Sequence, residues 1–491
     1  MIKKLLSRDS EAAELPRTAA DFRALLEKGE VNGKDGKMSA RERITSLFDE
    51  GTFTELGAYT ARRVGEFDST GIEELESVIC GYGAVNGCLT YAFSQDMSRK
   101  KGSFSEAAAK KICNLYKLAV SNGAPIVGIF DSAGAYLPEG VKVLAGYGSL
   151  MSEIAKASGV IPQIAYIPGV AEGANAVTAS MFDFTVALDS SKISVNPPFI
   201  VGGGKLSDSE KSGLVSLTAK GESEAAAKIR SLLSIIPQNN EDAPAETESN
   251  DEINRLIGEN YDDVRNMIHD FSDDGAFTEL SEAYGRSVIT GFASLGREVC
   301  GIVASDKNEN GGRIDSAAAR KAARFIGFCD CFGIPVVTLL DSEGFTECGE
   351  EEKTPLASEV AKLASVYASA STPIITLVCG AAYGSVFSVM GSKAIGADVV
   401  FATENAKISC LSAPSAVALL WNDKISGETT REQLENEWDE TYANPVEAAK
   451  AGEIDDVIPV PEIRQRLASA VSMLAYKSQS APVKRHSNMP L

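Results

Sequence analysis

The sequence predicts an α/β fold built from two tandem copies of one domain. Three observations carry that prediction. Short β-branched runs alternate with alanine-rich amphipathic segments, similar segments recur in the same order some 210 positions apart, and a polar stretch separates the two sets.

The recurrence is specific. DEGTFTEL at 49–56 returns as DDGAFTEL at 273–280, with six identities in eight. NGAPIVGIFDSAG at 122–134 returns as FGIPVVTLLDSEG at 332–344, offset by 210. PQIAYIPGVAEGA at 162–174 returns as PIITLVCGAAYGS at 373–385, offset by 211, and ALDSSKISV at 187–195 as ATENAKISC at 402–410, offset by 215. Chance explains one such match. Four in order, with drifting offsets, mean a duplication with small insertions. PQNNEDAPAETESND at 237–251 lacks apolar periodicity and reads as a solvated linker, so the domains are expected at 1–245 and 246–491.

Within each copy the elements follow from pattern. PIVGIF and IPQIAYI in the first copy, and PVVTLL and PIITLV in the second, are continuous apolar runs of the kind that buried parallel strands require. SEAAAKKICNLYKLAVSNG at 105–123 has apolar positions at helical spacing and ends in Asn-Gly. DSAAARKAARFIGFCDCFG at 315–333 is its counterpart, opening on Asp-Ser and ending in Gly. Strands alternating with helices of this length imply βαβ units and a mostly parallel core.

Composition narrows the chemistry. The 491 residues carry 47 basic against 68 acidic side chains, a net charge of −21, which argues against a broad nucleic-acid or anionic-membrane surface. No uncharged apolar run approaches the roughly 18 residues of a membrane helix. The start, MIKKLLSRDSEAAEL, reads as cytoplasmic. The nine cysteines are scattered, odd in number and without a CxxC pair, so buried free thiols are expected and no metal site. His269 and His486 are the only histidines, which removes most Ser–His–Asp, Cys–His and His-metal mechanisms.

The remaining chemistry sits at glycines after strands. Asp131-Ser-Ala-Gly-Ala135 follows PIVGIF, and Pro168-Gly-Val-Ala-Glu-Gly-Ala-Asn175 follows IPQIAYI. The second copy repeats both as Asp341-Ser-Glu-Gly-Phe345 and Cys379-Gly-Ala-Ala-Tyr-Gly-Ser-Val386. Small residues there let a ligand approach the backbone. The segments after Gly173 and Gly384 look helical, and their first N–H groups would lack helical partners. One such N–H paired with another from the preceding turn makes a two-donor oxyanion hole. The plainer reading, that these glycines only permit close packing, suits one site better than four matched ones.

RERITSLFDEGTFTEL, FSQD, FDSAGAYLPEGV, RFIGFCDCFGIPVVTLLDSEGF and YGSVFSVMGSKAIGADVVFA together resemble the carboxyltransferase subunit of biotin-dependent acyl-CoA carboxylases and decarboxylases, of the propionyl-CoA carboxylase β and methylmalonyl-CoA decarboxylase α types. The resemblance runs in order from about residue 39 to 475. It implies two crotonase-like (ClpP/crotonase superfamily) domains, a hexamer, and active sites between domains of neighbouring subunits. It implies biotin, carried on a separate protein, and an acyl-CoA as reactants. Partners would be a biotin carboxyl carrier protein with biotin carboxylase, or the membrane subunits of a decarboxylase. The cofactor would supply the base, and the protein orientation and two oxyanion holes. By resemblance Gly173 and Ala174, with Gly134, hold a thioester enolate. Gly384, Ser385 and Val386, with the Gly344 turn, hold the biotin urea oxygen. Arg99 and Lys100, after FSQD, would meet CoA phosphates, and Ala133 and Ser388 would lie beside the bound ligands.

The chain departs from the family pattern at named places. Tyr136 stands for an arginine, Ser385-Val386 for Gly-Ala, and Ser388 for an Asp-type position. Val386 is expected to narrow the pocket. GFTECGEEEK replaces a GFLPG stretch. These departures motivate a second reading, a catalytically silent scaffold subunit. Glu139 with Glu172 could form a hydratase acid–base pair, against a structural role for each. Val201–Gly204 reads as a flexible turn rather than a phosphate loop, and Glu350–Glu352 as a solvated loop. The chain lacks an AMKM-type biotinylation site and an ATP-binding motif, and it lacks the zinc ribbon of the multi-subunit acetyl-CoA carboxylase β subunit.

Overall fold

In this computed structural model the described residues are 18–20, 37–62, 74–196, 200, 205–426, 428–478 and 488, without the side chain of Ser207. His486, the Val201–Gly204 turn and most of the first 35 residues lie outside them. The chain divides into two compact units, Met1–Asn240 and Glu241–Leu491.

In the first unit seven strands form a sheet in the order Thr54–Leu56, Val78–Val85, Cys88–Gln95, Ile126–Ile129, Gln163–Ile167, Phe184–Leu188 and Leu217–Ala219. The first three are antiparallel, and every later neighbour is parallel. Asn86 and Gly87, with φ of 51° and 79°, close the hairpin between the second and third strands. Positive φ at both turn residues gives the twist a two-residue hairpin needs. Ile126–Ile129 and Gln163–Ile167 are buried throughout, which is why they read as continuous rather than alternating apolar runs. The helices Glu106–Ser121 and Val141–Ala157 make the crossovers and pack on each other. Ser105 caps the first of them by accepting from the Ala108 N–H. Phe93, Phe130 and Phe182 meet edge to face with ring centroids 5.4 Å apart, and each such burial contributes about 2–3 kcal/mol.

The second unit repeats the plan. Its sheet runs Phe277–Leu280, Val288–Leu295, Glu298–Ser305, Val336–Ser342, Ile374–Tyr383, Val399–Thr403 and Asp456–Ile458, and again only the first three are antiparallel. The helices Ser316–Cys331 and Leu356–Ser369 take the crossover positions. The repeated octapeptides now have a physical reason. Asp49 accepts the amides of Asn86 and Gly87 and pairs with Arg230 at 2.7 Å. Asp273 accepts the amides of Gly296 and Arg297 and pairs with Arg464 at 2.7 Å. Each aspartate thus ties the hairpin turn to an arginine from a late helix, Glu222–Ile235 or Ile463–Leu474.

The expected linker is not wholly solvated. The Val299 N–H donates to the Ala245 carbonyl at 3.1 Å, and the Thr247 N–H donates to Arg297 O at 2.8 Å. The segment docks because the hairpin end would otherwise leave backbone groups unpaired. The second unit also carries a helical pair, Ala413–Leu420 and Arg431–Tyr442, around both tryptophans, Trp421 and Trp438. Among the described residues no helix is long and apolar enough to cross a membrane.

Candidate active site

The sites begin with an aspartate after a central strand. In the first unit Asp131 accepts from the Val170 N–H at 3.1 Å and from Arg43 Nη1 at 2.6 Å. Gly169 is required beside it, since a Cβ there would fall 2.3 Å from Asp131 Oδ1. In the second unit Asp341 accepts from the Ala381 N–H at 2.8 Å, and a Cβ on Gly380 would fall 2.2 Å from its Oδ1. Each aspartate therefore locks the turn it begins onto the next strand.

The turn then reverses in matched fashion. The Gly134 N–H donates to Ser132 Oγ at 3.1 Å, and the Gly344 N–H to Ser342 Oγ at 3.2 Å. Phe104 N–H donates to Gly134 O at 2.9 Å, and Tyr136 N–H donates to Phe104 O at 2.8 Å. In the second unit Ile314 N–H donates to Gly344 O and Thr346 N–H to Ile314 O, both at 3.0 Å. Between these bonds the N–H groups of Ala135 and Phe345 have no protein acceptor among the described residues. Ala133, expected beside a ligand, gives its own N–H to Lys101 O at 3.1 Å.

Across the turn begins a short helix. Gly173 has φ 64° and Gly384 φ 66°, and the helices Ala174–Ser180 and Ser385–Val389 follow. The Gly173 N–H donates to Ser194 O and the Gly384 N–H to Ser409 O, both at 2.9 Å. These glycine amides complete ladders with Lys192–Ser194 and Lys407–Ser409 and are not available to a ligand. That corrects the sequence expectation for the amides of Gly134, Gly173, Gly344 and Gly384, which have internal acceptors. The next amides, of Ala174 and of Ser385 and Val386, precede any helical acceptor and remain unpaired among the described residues. Turn and helix start are adjacent, because a Cβ on Gly134 would lie 3.9 Å from Glu172 O and one on Gly344 3.9 Å from Tyr383 O. Val386, expected to narrow the pocket, has its side chain fully buried, whereas Ser385 and Ser388 are exposed.

Comparison with known proteins gives this geometry a context. The sequence matches the carboxyl transferase domain over residues 32–489. The chain belongs to the carboxyl transferase family. It is 35% identical to the propionyl-CoA carboxylase beta chain of Roseobacter denitrificans, over 93% of this chain and 94% of that one. It is 34% identical to the methylmalonyl-CoA decarboxylase subunit alpha of Propionigenium modestum, over 95% and 96%. Among solved structures it resembles transcarboxylase 12S, a hexamer assembly solved with methylmalonyl-coenzyme A and methylmalonic acid bound. That match has a TM-score of 0.91 at 30% identity, covering 96% and 98% of the two chains. The α/β units of this carboxyl transferase are accordingly crotonase-like.

Other candidate side chains of this carboxyl transferase have structural partners. Glu139 Oε2 accepts from the Glu106 N–H at 2.6 Å, capping the helix Glu106–Ser121, and burial raises its pKa above the usual carboxylate value. Glu351 does the same for Ser316 at 2.7 Å. Its pKa is held low in spite of burial, because the Ser316 and Thr354 bonds favour the ionised form. Glu350 and Glu352 are exposed, as a solvated stretch requires, while Glu351 between them serves as a helix cap. Arg99 leans on Asp96 at 3.4 Å and keeps part of its guanidinium exposed, while Lys100 adopts a left-handed φ of 46°. Ala135 and Phe345 were missed by sequence reasoning; the signal available was their position after each turn glycine.

Proposed function

We propose that this chain is the carboxyltransferase subunit of a biotin-dependent acyl-CoA carboxylase acting on a short acyl-CoA of the propionyl type. The carrying observation is a set of backbone amides at matched places in both copies that are unpaired among the described residues, Ala135 with Ala174 and Phe345 with Ser385 and Val386. Fixed N–H donors suit a reaction in which negative charge develops on a carbonyl oxygen and no protein side chain titrates. In the first unit the thioester oxygen accepts from Ala135 and Ala174, so the α-carbon loses its proton to give an enolate stabilised without solvent reorganisation. One such donor contributes on the order of 3 kcal/mol to the transition state. In the second unit the Phe345, Ser385 and Val386 amides would suit a urea oxygen that gains negative charge as the neighbouring nitrogen gives up a carboxyl group. Carboxybiotin, when bound, supplies the carboxyl group and accepts the α-proton through its ureido nitrogen. His269 has no part in this, since its Nδ1 contacts Gly275 O at 2.8 Å.

Biotin arrives on a separate biotin carboxyl carrier protein, loaded by a biotin carboxylase, and the working assembly is a cytoplasmic hexamer. The identity with a methylmalonyl-CoA decarboxylase subunit alpha favours a second reading, transfer in the opposite direction within a decarboxylase that uses membrane subunits. Both readings share the site. The test is transfer of a labelled carboxyl group from methylmalonyl-CoA to free biotin by the purified oligomer. Label on biotin is expected. A folded oligomer that moves no label from any short malonyl-type CoA would instead be a silent scaffold.

A further inference from the structure

Arg62 lies on the short strand Ala61–Arg62 and is only 3% exposed. Its guanidinium sits over the ring of Tyr136, with the central carbon 4.0 Å from the ring centroid. Nη2 reaches Glu76 Oε1 at 3.4 Å, but Nε and Nη1 are buried without a hydrogen-bond partner among the described residues. A guanidinium has five N–H donors, and leaving them unmade in the interior is costly. Such a group calls for an explanation in function or in the surrounding charge. Glu76 accounts for part of the charge. It also accepts the Ser77 N–H at 2.8 Å and the Ser105 hydroxyl, which anchors it at the start of the helix Glu106–Ser121. Glu139, whose carboxyl feels the Arg62 charge, accounts for a further part, and the closest contact left is with Tyr136.

Tyr136 follows Ala135 directly. Phe104 fixes the backbone on either side of that residue, through the Gly134 carbonyl and the Tyr136 N–H. The ring of Tyr136 is then the lever through which a side chain can tilt the Ala135 peptide. A cation over an aromatic face holds the ring by its quadrupole and needs no directed hydrogen bond, which fits the unmade donors. The resemblance to carboxyltransferases puts an arginine at position 136. Here the ring occupies the turn and the cation arrives from another strand.

We propose that Arg62 is a positioning residue for the Ala135 amide and acts through the face of Tyr136. The proposal rests on reading Ala135 and Ala174 as the thioester-oxygen donors. The test uses the full-length oligomer, methylmalonyl-CoA and free biotin, with the carbonyl stretch of a bound isotope-labelled propionyl thioester as a second readout. Arg62→Met and Tyr136→Leu should each lower kcat by roughly 10- to 100-fold, the scale of a misplaced donor, with KM for the acyl-CoA changed by less than about threefold. Both should shift the thioester stretch to higher frequency, since the carbonyl is less polarised. Arg62→Lys should recover most of the loss, Tyr136→Phe should lose far less than Tyr136→Leu, and the double variant should be no worse than either single one. If Arg62→Met fails to fold, the Leu and Phe variants of Tyr136 carry the same comparison. A wild-type stretch and kcat in Arg62→Met, no recovery by lysine, or additive losses in the double variant would each overturn the proposal. A wild-type oligomer that binds the thioester yet transfers nothing removes the functional reading instead, and the carbonyl shift still reports on Arg62.

Discussion

Arg43 donates from Nη1 to Oδ2 of Asp131 at 2.6 Å, with both side chains buried. Its Nε meets Glu222 Oε2 at 2.7 Å. One cation from the helix Ala40–Leu47 therefore bridges two carboxylates and holds the aspartate that begins the first turn. Arg43→Ala would leave Asp131 buried and unpaired. A loss of about 3–5 kcal/mol is expected in equilibrium urea unfolding, and a loss under about 1 kcal/mol would show that the pair is dispensable.

Glycine next to that aspartate is a steric necessity. Gly169→Ala and Gly380→Ala place a methyl group 2.3 and 2.2 Å from an aspartate oxygen. Each should destabilise by about 1–3 kcal/mol, because the carboxylate is pinned and the strand must move. Gly148→Ala is the control. It lies on the helix Val141–Ala157, its Cβ would meet nothing within 4 Å, and a gain of about 0.5–1 kcal/mol is expected. Thermal melting of the three variants checks the ranking.

Backbone donors are tested by changing the backbone. Replacing the Ala174 amide with an ester, by incorporating lactic acid, removes the N–H and only weakens the Gly173 carbonyl that accepts from Ala176 and Val177. A fall in kcat of about 100- to 1000-fold is expected, with little change in KM. The same change at Gly173 removes the bond to Ser194 and should cost about 1 kcal/mol of stability with a much smaller effect on kcat. Equal kinetic losses at the two positions would contradict the assignment of donors.

Lys321 gives a pH signature. Burial depresses its pKa from 10.5 to about 8 on the helix Ser316–Cys331. Between those values the unfolded chain binds a proton that the folded chain does not, so this group's contribution to stability rises with pH through that window. Below about 8 it costs the fold roughly 3–4 kcal/mol. Lys321→Met should therefore be more stable than wild type at pH 7, with the advantage fading towards pH 10.5. Denaturant unfolding of both proteins from pH 6 to 10 measures that difference, and a constant offset would refute it.

The duplication and the strand–helix alternation are legible in the sequence because they rest on local pattern. PIVGIF and PVVTLL are buried on every side and need apolar residues throughout. The helices at Glu106–Ser121 and Ser316–Cys331 announce themselves by period and caps. The glycines at 134, 173, 344 and 384 are legible too, since only glycine accepts their φ cheaply. What the sequence withholds is which amide remains unpaired. The Gly173 N–H is taken by Ser194, a partner set by strand pairing that no motif encodes. Ala135 and Ala174 carry no side-chain signal. Arg62 has none either, because its meaning lies in contact with Tyr136, far along the chain. Glu139 and Glu351 look alike as charged loop residues, and only the fold turns them into caps.

On the proposed assignment of donors, a scan by alanine substitution would walk past the atoms that matter. Positions 135 and 174 already hold that amino acid, and at 345 and 385 the exchange leaves the peptide nitrogen in place. Lineages can therefore drift at these places while keeping the reaction, and mutational maps that score side chains will mark the neighbourhood as permissive. On that assignment, tolerance to substitution here would be a property of main-chain chemistry, not a sign that the surface is idle.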